Sequence, residues 1–108
     1  KAIFTVNTQS GEGVAAAIEE MGKSGEILMA GFDPSATIET YVREGVYTAL
    51  NVTRSFDMGY KTVEVAVAAI EGNEIEGLDG KFLDSGSIVV TQDNVDSEEA
   101  QSLLHPMG

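Results

Sequence analysis

The sequence predicts an α/β domain with an open, mostly parallel sheet and flanking helices, and two observations predict it. Strand-length apolar runs alternate with stretches of helical periodicity in the order β-α-β-α-β-α-loop-β-α, which is how a parallel sheet is connected. The clearest unit is β-α-β and spans Glu26 to Thr53. Its first strand, Glu26 to Phe32, is an apolar run too short for a free-standing helix. Asp33-Pro34-Ser35 stops it, because proline removes a donor and disfavours helix in the residue before it. Ile38, Tyr41 and Val42 then share one helical face, Gly45 supplies a left-handed cap, and Val46 to Thr53 is again rich in β-formers.

The remaining elements follow in order. Ala2 to Val6 reads as a short strand, and Asn7 to Gly11 as a turn. A helix from about Glu12 to Gly22 places Val14, Ile18 and Met21 on a buried face, with Ala15 to Ala17 allowing close approach to a sheet. The longest helix opens at Arg54-Ser55 with Ser55 as the expected N-cap. Phe56, Tyr60, Val63, Val67 and Ile70 form its continuous apolar stripe, the mark of a helix packed on a sheet. That helix ends at Glu71-Gly72-Asn73, and 73–86 is irregular. Ser87 to Thr91 is a last strand, Gln92 to Asp96 a turn, Ser97 to Leu104 a short helix, and His105 to Gly108 a tail. Four short strands make a narrow sheet, so an edge is expected to need a partner.

Charge narrows the classes of function. With 18 acidic against 6 basic residues the net charge is −12, which repels nucleic acid and anionic membranes. The absence of cysteine excludes disulfides and thiolate chemistry. No apolar run reaches the roughly 20 residues of a membrane-spanning helix. The sequence starts at Lys1 directly before a strand, with neither initiator methionine nor signal peptide, and reads as a processed or cut end of a longer protein.

Ligands of open parallel sheets sit beyond the carboxyl ends of the strands. Those ends offer Asn7, Asp33 and Thr53: an amide, a carboxylate and a hydroxyl, with no nucleophile–base pair. Such a set suits hydrogen bonding to a polyol better than bond breaking, so no catalytic residue is expected. The local alternatives are Asn7 and Thr53 as turn residues and Asp33 as a helix cap. Gly11-Glu12-Gly13-Val14-Ala15-Ala16 matches a dinucleotide-binding glycine pattern, with Asp33 about twenty residues on. Four polar residues, Asn7 to Ser10, stand where that pattern wants a tight turn, and Glu12 would face the pyrophosphate. The acidic run 93–99 lacks the spacing of a calcium loop, and His105 reads as a solvated terminal residue. No cofactor or metal is expected.

Several segments together resemble one family. Val-Asn-Thr-Gln at 6–9, Met-Ala-Gly-Phe-Asp at 29–33 and Tyr-Val-Arg-Glu-Gly at 41–45 follow one another. Thr48-Ala49-Leu50, Phe56-Asp57-Met58-Gly59-Tyr60 and Val89 to Asp96 complete the order. This resembles the C-terminal portion of the type 1 periplasmic sugar-binding proteins of bacterial ABC importers, the ribose and rhamnose type. The resemblance implies two α/β lobes joined by a hinge, with a sugar clamped between them. It implies that 1–53 belongs to the second lobe, that 54–86 is a hinge return and a helix of the first lobe, and that 87–108 returns to the second. It implies Asn7 and Asp33 as ligand residues, Gln9 as a loop contact and Thr53 at a hinge position where ribose-type binders carry glutamine. It further implies permease subunits as partners of the parent protein, and a periplasmic or lipid-anchored extracellular location. The missing N-terminal lobe, or a second copy of the chain, is the expected partner of the bare sheet edge. A lactose-repressor-type effector domain shares the fold, but usually carries Pro-Leu-Thr-Thr where this chain has Tyr47-Thr48-Ala49-Leu50.

Overall fold

A computed structural model describes Lys1 to Met107, and its elements alternate as the periodicities require. They are β1 (Ala2–Phe4), α1 (Thr8–Glu20), β2 (Leu28–Phe32), α2 (Ala36–Arg43), β3 (Ala49–Thr53), α3 (Ser55–Glu71), β4 (Ser87–Val90) and α4 (Glu98–Leu104). The sheet order is β1-β2-β3-β4, with β1 parallel to β2 and β2 parallel to β3. Register places Phe4 opposite Ala30 and Phe32 opposite Asn51, so β1, β2 and β3 point their carboxyl ends the same way. This is the open, mostly parallel α/β sheet that the sequence predicts.

Residues Lys1–Val52 and Ile88–Gly108 form one unit, and Thr53–Ser87 a second. The first unit holds the core. Ile18 and Ala15 of α1, Ile38 and Val42 of α2, and Met29, Leu50, Val52 and Val90 of the strands are buried there. Val95 of the preceding turn, and Ala100 and Leu104 of α4, complete it. α2 ends as its sequence dictates: Gly45 takes φ 78°, and the N–H groups of Gly45 and Val46 donate to Val42 and Tyr41 carbonyls.

Helix starts differ from expectation in two places. α1 begins at Thr8, because the Asn7 side chain accepts the Ser10 N–H at 2.9 Å and draws the polar segment 8–11 into its first turn. The N-cap of α3 is Arg54, not Ser55, and no side chain caps that end. A larger difference concerns the α3 stripe. No residue of α3 is buried; Phe56 is 63% and Ile70 87% exposed. The periodicity is present, but no position of the stripe is buried among the described residues. β1, at the sheet edge, is exposed at all three positions.

A buried carboxylate ties α2 to α4. Glu39 is 6% exposed, and its Oε1 accepts from both Arg43 at 2.7 Å and Gln101 at 3.0 Å. Its other oxygen, Oε2, lies 2.8 Å from Nε2 of His105, which stays exposed as expected but is paired with this carboxylate. Arg43 also pairs with Asp96, at 2.7 Å. Burial alone raises the Glu39 pKa, but hydrogen bonds from Gln101 and Arg43, and the charges of Arg43 and His105, outweigh it and lower it. A lowered folded value means that Glu39 stabilises fully above the ordinary glutamate range and loses its contribution as pH falls through its folded pKa. Glu39→Gln is therefore expected to cost about 1–2 kcal/mol at neutral pH. In paired thermal melts the gap between wild type and variant should close below about pH 4.

Candidate functional site

The carboxyl ends of β1 and β2 form one edge of the sheet, and two of the candidate side chains stand there. Thr5 extends the pairing of β1 by donating its N–H to the Ala30 carbonyl at 3.0 Å, and Asn7 follows two residues later. Asp33 follows directly on β2 and donates its N–H to the Asn51 carbonyl at 3.1 Å. The topology thus brings Asn7 and Asp33 to adjacent strand ends. Asn7 is exposed and Asp33 half-buried, so neither is walled off.

Their local roles differ. Asn7 Oδ1 is committed, accepting from both the N–H and the hydroxyl of Ser10 at 2.9 Å. Only its Nδ2 donors remain for a ligand. Asp33 is not the cap of α2. That role belongs to Ser35, whose hydroxyl accepts the Ile38 N–H at 3.1 Å. The Asp33 carboxylate takes no hydrogen bond from another described residue. Asp33 is also the one non-glycine with positive φ, 69°, among the described residues. An aspartate there is costlier than glycine, and such strain gathers at functional sites. Gln9 sits in the first turn of α1, exposed, rather than in a loop. Thr53 ends β3 and belongs to the second unit.

Three further groups support this edge and were not singled out by the sequence. Glu12 accepts the Ser35 hydroxyl at 2.6 Å, joining α1 to the cap of α2. The same contact removes the dinucleotide reading. Gly11 and Gly13 lie inside α1, not in a strand-to-helix turn, and Glu12 is already engaged. Beneath lie the hydroxyls of Tyr47 and Thr5, both buried without a well-directed hydrogen bond. Burial pushes the Tyr47 phenol up; the nearby Thr5 hydroxyl works against this, and the Glu12 charge adds to it. Capping and burial signals of this kind depend on which helix lies beside which strand, and spacing does not carry that.

Elsewhere, an open groove of about 820 Å³ lies on the bare face of α3, along Phe56, Tyr60, Val63 and Val67. Its walls are mostly apolar, unlike the polar edge at Asn7 and Asp33. Among the described residues no cluster of histidine, aspartate and glutamate could hold a metal.

Comparison with known proteins supplies independent findings. Residues 1–74 match the family model described as periplasmic binding protein domain. A solved ABC transporter solute-binding protein from Agrobacterium vitis, with D-fucose bound, is similar at 34% identity and a TM-score of 0.82 over 96% of this chain. A carbohydrate transporter solute-binding protein from Agrobacterium radiobacter, in complex with D-arabinose, is similar at 26% identity and a TM-score of 0.82 over 95%. A sugar-binding protein of a sugar ABC transporter from Bacillus halodurans shares 27% identity, with a TM-score of 0.71 over 88%. The chain spans about a third of the length of these structures: 34%, 34% and 35%. Among curated proteins no match is found.

Proposed function

The chain belongs to the periplasmic binding protein domain family, and on that premise we propose that it is the sugar-contacting part of an ABC importer's solute-binding protein. It binds a monosaccharide or similar small polyol reversibly and performs no covalent chemistry. The observation that carries this reading is Asp33: a carboxylate held at positive φ and left out of the α2 cap, at a strand end adjacent to the one that Asn7 follows. A carboxylate accepting two sugar hydroxyls makes charge-assisted bonds, and Asn7 Nδ2 donates to a third oxygen. Gln9 and Thr53 are the remaining candidate contacts. The relatives bound to D-fucose and D-arabinose support a sugar as ligand.

On this reading 54–86 is a hinge return and a helix of the opposite lobe of a two-lobed clamp, with the permease as the partner of the closed form and the periplasm or outer cell surface as its place of work. Half of a clamp retains few contacts. Titration of the labelled chain with D-fucose and D-arabinose, followed by amide resonances, is expected to give a Kd of about 1 mM or weaker, with shifts centred on Asn7 and Asp33. Shifts centred elsewhere overturn the site. Micromolar binding by this chain alone overturns the need for an opposite lobe, and tight binding of NAD instead of a sugar restores the nucleotide alternative.

A further inference from the structure

Tyr47 is fully buried, yet its hydroxyl and that of Thr5 lack a hydrogen bond of good geometry. A buried phenol whose polar neighbour, the Thr5 hydroxyl, is poorly aligned recovers less than its desolvation costs. Packing alone therefore does not account for tyrosine where phenylalanine fills the same space. Two glycines make room for the phenol tip. A methyl group at Gly11 would overlap the Tyr47 hydroxyl oxygen. A methyl at Gly31 would lie 2.7 Å from Tyr47 Cε1, 2.8 Å from Thr5 Oγ1 and 2.9 Å from the Tyr47 hydroxyl.

These two glycines lead to the two arms of the site. Gly11 donates its N–H to the Asn7 carbonyl at 3.0 Å, closing the first turn of α1. Gly31 precedes Asp33 by two residues on β2. We propose that Tyr47 is a positioning residue, whose phenol tip, wedged between Gly11 and Gly31, sets the separation between the Asn7 turn and the Asp33 turn. The role in ligand binding rests on the sugar reading above; the spacing itself does not.

The test is a substitution cycle. At Gly11 the hydroxyl is the only severe obstacle to a methyl, since Ile38 Cδ1 and Thr5 Oγ1 stand at 3.3 and 3.4 Å. Gly11→Ala should shift the amide resonances of Asn7 and Asp33 together, without sugar, and weaken D-fucose binding about fivefold, the worth of one misaligned hydrogen bond. Adding Tyr47→Phe deletes the clashing oxygen, so the double variant should return both resonances and the affinity towards wild type. Tyr47→Phe alone leaves a gap and should move both resonances in concert without lowering the melting temperature. This variant keeps the test decisive should Gly11→Ala fail to fold. Independent movement of the two resonances, or no recovery in the double variant, overturns the proposal. If the resonances follow the cycle while a protein carrying both lobes binds neither D-fucose nor D-arabinose, the spacing role stands and the sugar reading falls.

Discussion

Asp33→Ala is expected to weaken sugar binding at least about a hundredfold in a protein carrying both lobes, measured by calorimetry. Two hydrogen bonds to a charged acceptor are each worth about 1.5–3 kcal/mol. Losing both exceeds the roughly 2.8 kcal/mol of a hundredfold change. Truncation also leaves sugar hydroxyls without acceptors inside a closed cleft, which deepens the loss. Asp33→Asn keeps one acceptor and tolerates the left-handed backbone, so it should retain more affinity than alanine. Asp33→Gly separates function from stability. At φ 69° glycine relieves a strain of about 1 kcal/mol, so this variant should unfold at equal or higher denaturant than wild type while binding no better than alanine. A glycine variant that is less stable, or one that binds normally, contradicts the role given to Asp33.

The strand ends were legible in the sequence because they depend on short-range signals. An apolar run halted by Asp33-Pro34-Ser35 locates the end of β2 without knowledge of its neighbours, and the parallel class follows from the helix between each pair of strands. Capping was less legible. Aspartate and serine are both good caps, and spacing alone did not show that Ser35, with Glu12 behind it, takes the role and releases Asp33. Glycine was the most misleading signal. Gly11 and Gly13 imitate a phosphate-binding loop, whereas Gly11 is needed because Tyr47, 36 positions later in the chain, occupies its side-chain space. His105 reads as a free tail residue until α4 is placed beside α2 and Glu39. Each of these failures has one source: the partner lies far away in sequence, and a pattern of residue types says that a partner is needed without saying which.

The α3 stripe is the sharpest instance of that rule, and it yields the second large prediction. Leu50 is fully buried in the first unit, so Leu50→Ala should cost about 2–5 kcal/mol, enough to unfold much of so small a domain. Phe56 removes a larger side chain when truncated, yet it stands bare on α3, and Phe56→Ala in this chain should stay within about 0.5 kcal/mol. Urea unfolding midpoints of the two variants measure the difference directly. The ranking reverses the expectation from hydrophobicity and periodicity alone, under which Phe56 and Leu50 are equally good core residues. On the clamp reading, a protein extended to the length of the solved relatives covers the stripe, and Phe56→Ala there should cost as much as a core truncation, about 3–5 kcal/mol. A large cost in this chain shows that α3 already has a packing partner. A negligible cost in the extended protein shows that the stripe belongs to an external surface, and exposed apolar patches of that kind mark sites of association.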